Sequence, residues 1–451
     1  MNCFSKIIFA SLMICLSVPV FAGGPFMIDD ANKTGQASHW RQNVVSWKVD
    51  DGPLSKTVDH DEAVEWVEEL FETWRTATLT DANDVVRRTV KVDVRFRGTV
   101  GKNITAENIS EYTEGSAIGG QTVVVVFDED GSIMTKLGHD SNSIIGLGAP
   151  LELDSTRLYI QTGIVILNGH LIDGEKKSQD NNEVSKRAFK AAILHEIGHV
   201  LNLDHCQVNS EYENTCSLKS GCMNPEAICT MFPELKDEMQ DTLHWDDVST
   251  VSWLYPSEDF LKYFGTIRGT VLDFEEKGLQ GVNVVARTTT TSRRAVDARS
   301  MVSGVLYPAG EENGDYILSG CLPGEEYEVF VEPLNPKYKG SSGFEPLDNP
   351  PQNFVKAGVE GSDGSFKVIC PDPQSGTSTL TMKTIKTSIV SGNLDPREST
   401  IYGTNEPRKR PTMCSLHREN TGRFSSKGGT PLLLFGILLI IMRRILPAPK
   451  S

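Results

Sequence analysis

Apolar and polar positions change rhythm several times along the chain. Ala188, Phe189, Ala192 and Ile193 recur at helical spacing with Lys and Arg on the other face, which predicts a helix with one buried side. Upstream, Thr122 to Phe127 and Leu158 to Leu167 are β-rich runs bounded by Asp, Gly and Asn, so a mixed sheet stands in front of that helix. After Tyr255-Pro256 the pattern shortens. Phe264–Asp273, Gly278–Arg287, Gly314–Gly320 and Tyr327–Val331 alternate inward and outward residues between Gly and Pro turns, the signature of a small β-sandwich. From Pro371 to Lys427 the chain is rich in Ser, Thr, Gly, Pro and basic residues without a sustained period and reads as a linker. The expected class is α+β, an α/β-mixed first domain followed by an all-β one.

The densest chemistry lies on and just after the predicted helix, in His195-Glu196-Ile197-Gly198-His199-Val200-Leu201-Asn202-Leu203-Asp204-His205. Residues four apart share a helix face, so His195 and His199 can present two imidazoles to one metal ion. Glu196 lies at the edge of that face, where its carboxylate reaches a metal-bound water without ligating the metal. His205 cannot join from the same helix, because six more helical residues would carry it about 9 Å along the axis. The chain must turn back after His199. Asn202 stands where that turn is needed, and Asn follows Gly as the residue that ends helices in the left-handed conformation.

This segment resembles the metzincin zinc metallopeptidases, and within them the matrixin branch, whose signature is His-Glu-x-x-His-x-x-Gly-x-x-His followed by a tight turn with a Met beneath the zinc. The chain matches except for Asn202 at the Gly position. Met223 and Met231 both stand near the turn. Met231-Phe232-Pro233 is favoured because Met-aromatic-Pro is similar to the matrixin turn and leads into Leu243–Tyr255, which resembles the closing helix of the family. Pro233 stands where astacins and serralysins carry a Tyr. The resemblance runs from about Ser46 to Pro256, with Glu62–Trp74 similar to the first long amphipathic helix. It implies a metzincin-like catalytic domain: a mixed twisted sheet, an active-site helix and a closing helix. No Cys lies between Cys15 and Cys206, so the pro-segment cysteine that caps the zinc of animal matrixins is missing. His139 and His170 do not follow the family's structural zinc pattern and read as ordinary loop histidines.

Cys206, Cys216, Cys222 and Cys229 crowd the insertion between His205 and Met231. They contain no Cys-x-x-Cys pair, so two disulfides stapling the loop are expected in place of a second metal, with the connectivity open. Export is expected from Lys6, the apolar run Ile7–Val20 and the small-x-small site Val20-Phe21-Ala22, a signal peptide over 1–22 with a mature start at Gly23. At the other end, Gly428-Gly429, the apolar Leu432–Met442 and Arg443-Arg444 fall short of the roughly 20 residues that cross a bilayer. They are read as a membrane anchor or, by resemblance, as a Gly-Gly type bacterial C-terminal sorting signal. Either places the protein outside the cytoplasm, extracellular or at the surface of a Gram-negative-type bacterium. The expected organisation is a peptidase domain over 23–258, a sandwich over 262–371, a linker over 372–427 and the hydrophobic segment over 428–451. The sandwich looks like the carboxypeptidase regulatory-like (transthyretin-like) module, and Cys321 and Cys370 could close a disulfide across it.

Among 451 residues the formal net charge is −16, which disfavours nucleic acid as a partner. Asn103-Ile104-Thr105 and Asn108-Ile109-Ser110 match glycosylation acceptors and are read as chance. Asp128-Glu129-Asp130-Gly131 raises Ca²⁺, but the remaining ligands of a calcium loop are missing and a short acidic turn between strands is the expectation. The function expected is that of an exported Zn²⁺-dependent endopeptidase acting on protein or peptide substrates, with His195, His199 and His205 on one catalytic zinc ion and Glu196 as general base. The alternative is a surface adhesion protein that works through its sandwich.

Overall fold

The computed structural model describes residues 23–29, 32–115, 117–175, 183–206, 208, 228–236, 238–273, 276–308, 312–334, 355–357, 366–373, 383–388 and 414–418. The expected signal peptide at 1–22, Cys216, Cys222, Met223 and the hydrophobic segment 428–451 lie outside the described residues. Among the described residues, no helix is long and apolar enough to cross a membrane.

The architecture mixes sheets and helices, compatible with the α+β class. Strands β1 (His39–Trp40), β2 (Val44–Val49), β3 (Thr78–Thr80), β4 (Val86–Arg88), β5 (Asp93–Thr99), β6 (Thr122–Asp128), β7 (Ile144–Leu153), β8 (Tyr159–Asn168) and β9 (Glu234–Leu235) belong to the first half. Helices α1 (His60–Arg75), α2 (Ser110–Thr113), α3 (Ser132–Lys136), α4 (Lys186–Val200), α5 (Trp245–Leu254) and α6 (Glu258–Tyr263) accompany them. The second half holds β10 (Gly265–Leu272), β11 (Val282–Thr288), β12 (Ala298–Val302), β13 (Asp315–Cys321), β14 (Glu326–Pro333), β15 (Val355–Ala357), β16 (Phe366–Ile369) and β17 (Lys383–Ser388), and β18 (Cys414–Arg418) follows them.

The large sheet runs β5-β2-β6-β8-β7-β18-β9, with β1 also paired to β8. Its first four strands are parallel, and β7 turns antiparallel against β8. Both faces are covered. Val123, Val125 and Phe127 of β6 enter the core shared with α1 and α4, while Val124 and Val126 enter a second core with Ile133, Met134 and Ile166. Burial on two sides is why this strand is a continuous apolar run.

α1 starts where the Asp59 side chain accepts the Glu62 N–H at 2.9 Å, an N-cap that satisfies one of the helix's unpaired donors. It buries Trp66, Val67, Leu70, Phe71 and Trp74. Ser185 caps α4 in the same way through the Ala188 N–H. From Ala191 to Val200 every residue of α4 is buried. The one-sided pattern of its first turns therefore gives way to a helix enclosed all round, between the sheet and α1.

The sandwich is two four-stranded sheets, β13-β10-β17-β15 and β12-β11-β14-β16. Cys321 at the end of β13 and Cys370 just after β16 form a disulfide, which ties one sheet to the other. The unit docks on α5. Trp245 donates its indole N–H to Gly320 O at 3.1 Å, and Ser300 N donates to the Asp246 carboxylate at 2.6 Å.

Two expectations are corrected. The stretch 372–427 is not linker throughout: β17 pairs in parallel with β10 and antiparallel with β15, and β18 joins the large sheet. A short strand held between neighbours through its backbone needs no alternation of its own, so periodicity passes over it. The acidic turn at Asp128 leads into α3, not into a strand. Its carboxylate accepts from Ile133 N and Met134 N at 3.0 and 2.8 Å, while burial pushes its pKa up to about 6.

Because the Cys321–Cys370 bond closes a long loop between sheets, Cys370→Ser should lower unfolding stability by about 2–5 kcal/mol. Urea unfolding without reductant, followed by a probe in the sandwich, measures it. An unchanged midpoint and slope would show that the bond contributes nothing.

Candidate metal centre

α4 carries His195, Glu196 and His199, all fully buried, and the chain then reverses. The reversal is built from Leu201, Asn202 and Leu203. Asn202 takes φ +78°, its N–H donates to His199 O at 2.8 Å, and Leu203 N donates to Gly198 O at 3.0 Å. These two bonds are the Schellman pattern, which closes a helix with a left-handed residue. The remaining terminal carbonyls find side chains: Trp40 Nε1 donates to Val200 O at 2.7 Å, and the Tyr255 hydroxyl donates to Leu201 O at 3.0 Å.

The turn returns His205 to the helix. Ring centroids lie 4.6 Å apart for His195 and His199, 5.1 Å for His195 and His205, and 4.8 Å for His199 and His205. One ligand atom from each of the three rings lies within 4.8 Å of the others, a cluster that can hold a metal ion. His195 Nδ1 is 2.8 Å from Thr230 O, and His199 Nδ1 is 2.8 Å from Leu203 O. A carbonyl only accepts, so each Nδ1 carries the proton and each Nε2 presents a lone pair. The two Nε2 atoms stand 2.9 Å apart. Two facing lone pairs repel unless a cation lies against both, so the donor set fits a metal ion. Burial drives the His195 pKa down to about 4 and that of His199 well below its ordinary value, the latter with help from His195. Both rings are thus neutral, as metal ligands must be.

Around the cluster, close packing fixes the parts. Any Cβ at Gly198 would strike Met231 Sδ and Trp74, so Met231 packs directly against α4 at Gly198, one residue before His199. Pro233 is buried at the bend into β9. The Asp247 carboxylate accepts from Thr230 N at 2.8 Å, Met231 N at 3.0 Å and His244 N at 2.9 Å, which fastens the turn to the start of α5. Cys206, next to His205, is disulfide-bonded to Cys229, and Cys206 N donates to Met231 O at 2.8 Å. Cys206, Cys229 and Asp246 also lie close together, but the disulfide consumes both thiols. Of the two disulfides expected among the four loop cysteines, Cys206–Cys229 is the one formed within the described residues; Cys216 and Cys222 lie outside them.

Glu196 faces β7. A Cβ at Gly146 would stand 2.7 Å from Glu196 Cγ, and one at Gly148 would stand 2.5 Å from Glu196 O and 2.9 Å from its Oε2. Only Gly lets the strand approach the helix this closely.

Sequence reasoning missed the part played by the segment 23–27. Gly23 N donates to His205 O, Asp204 N to Gly24 O at 2.9 Å and Phe26 N to Asn202 O at 2.9 Å. The Asn202 side chain accepts from Met27 N at 2.6 Å and donates to Met27 O at 2.9 Å and Ser38 O at 2.6 Å. Phe26 is fully buried, its ring 5.7 Å from that of His199. Asn202 therefore does more than end the helix: its amide holds the segment that borders the third histidine. Asp247, Gly146 and Gly148 were missed too. Two signals mark them in the chain, an acid at the third position of a helix and alternating Gly in an apolar strand.

No protein-family model matches the chain, and no curated protein matches it.

Asn202→Gly retains the backbone conformation and removes three buried hydrogen bonds, so it should cost about 2–3 kcal/mol. Asn202→Ala should cost more, since Ala also resists positive φ; chemical denaturation of both variants ranks them, and equal stability to the parent would contradict the clamp. With metal chelated, the depressed His195 pKa makes the unfolded chain the stronger proton binder between pH 6.5 and about 4. Stability from this group is complete above pH 6.5 and falls as pH drops towards 4, by about 3 kcal/mol. A pH series of denaturant midpoints with His195→Gln as reference checks this, and parallel curves would contradict it.

Proposed function

We propose that this protein is a zinc-dependent endopeptidase of metzincin type, matrixin-like in plan, that hydrolyses peptide bonds in protein substrates. The observation that carries the proposal is the convergence of His195, His199 and His205, with Nε2 of His195 and His199 2.9 Å apart, beside a buried Glu196 on the same helix. Three imidazole nitrogen donors with a coordination position left over are the ligand set of a catalytic zinc ion. Met231 against α4 and the reversal at Asn202 support the matrixin-like reading.

Held by the three imidazoles, zinc supplies Lewis acidity, which acidifies water and polarises a carbonyl. Glu196 performs the proton work. Its carboxylate takes the proton from the attacking water and returns it to the leaving amine nitrogen. The Thr230 and Leu203 carbonyls hold His195 and His199 as Nδ1–H tautomers, which leaves each Nε2 lone pair for the metal; with that lone pair ligated, neither ring would compete for the proton. The sandwich serves as a binding or spacer module docked on α5. The enzyme acts outside the cytoplasm, a placement supported by two disulfides among the described residues and by the exported reading of both termini.

Zinc-loaded protein should cleave a peptide library, lose that activity to chelator and regain it with zinc. Glu196→Ala should keep its zinc while cleavage falls by about 10²–10⁴-fold. Full activity in the zinc-loaded variant would remove the assigned base, and the absence of chelator-sensitive cleavage in the parent would favour the adhesion function.

A further inference from the structure

The large sheet does not end at β7. β18 lies antiparallel to it, Cys414 opposite Gly148, Ser415 opposite Leu147 and Leu416 opposite Gly146. On its other side β18 runs parallel to β9, with His417 opposite Glu234 and Arg418 opposite Leu235. Gly146 and Gly148 are the residues that abut Glu196, and β9 starts three residues beyond Met231. The backbone of α4 also runs within 8 Å of that of β18. A piece of chain more than 200 residues downstream of α4 therefore bridges the strand beside Glu196 and the strand that leaves the methionine turn.

We propose that Cys414–Arg418, seated as an added strand between β7 and β9, takes the place that an extended peptide substrate would occupy beside Glu196, and so competes with substrate. The proposal rests on the endopeptidase reading for its substrate and on sheet pairing for its occupant. A strand edge offers one row of N–H and C=O groups, so it pairs with one chain at a time. Recognition through main-chain hydrogen bonds tolerates many side chains, which suits a peptide of varied sequence. A tethered segment acts at an effective concentration on the order of mM. External peptide at µM concentration then meets a largely filled place, and the apparent KM is raised while kcat is untouched.

The test uses the full chain. In the parent protein, amide hydrogen exchange at residues 414–418 and 144–148 should be slow; exchange at 414–418 as fast as in an unstructured peptide would overturn the proposal. In a Ser415→Pro, Leu416→Pro variant, two donors are removed from the middle of the strand. Residues 144–148 should then exchange faster while α4 keeps its protection, and the apparent KM for an external peptide should fall about tenfold with kcat unchanged. A synthetic peptide of residues 411–421 added to the variant should restore the higher KM. Unchanged KM in a variant whose α4 is still protected would overturn the competition. Slow exchange at 414–418 in a protein that cleaves nothing would leave the strand in its place and remove the endopeptidase reading instead.

Discussion

A helix can offer two imidazoles to one ion but not a third six residues further on, and everything around the candidate site answers that constraint. The chain has to leave α4, reverse within a few residues and come back beside His195 and His199. Asn202 makes this possible by accepting φ +78°, a conformation most residues resist. Without that reversal His205 would lie about 9 Å away along the axis.

A reversal alone fixes a path, not a position, and the surroundings supply the rest. The end of α4 is held by Trp40 and Tyr255 through its last carbonyls. The returning chain is braced on one side by residues 23–27 and on the other by the Cys206–Cys229 bond. Asp247 then fastens the turn that bears Met231 to α5. Since Ser300 N bonds the neighbouring Asp246, whose pKa burial raises to about 8, the sandwich is docked on the same helix. The segment 23–27 touches both units: Val302 N donates to Gly23 O at 3.0 Å, just across from the bond between Gly23 N and His205 O.

What could be read in the chain was largely what local spacing encodes. His195, Glu196, His199 and His205 stand at offsets that admit few geometries, α4, β6, β8 and the main sandwich strands follow from apolar periodicity, and α1 was expected from the resemblance alone. The role of Asn202 was half legible. Its backbone conformation follows from its place after the helix, but the partners of its amide, Met27 and Ser38, lie more than 160 residues away. The close approach at Gly146 and Gly148 and the pairings of β17 and β18 are likewise long-range. Backbone pairing depends on what the rest of the fold brings alongside, which no window of sequence contains.

The central claim is that three imidazoles and no sulfur hold one catalytic zinc ion. X-ray absorption at the zinc edge on protein equilibrated with one equivalent of the metal tests it most directly. The account predicts a light-atom shell near 2.0–2.1 Å with the outer-shell pattern of about three imidazoles, reduced on His205→Ala. A shell containing sulfur near 2.3 Å, or a protein that takes up no zinc, would contradict it.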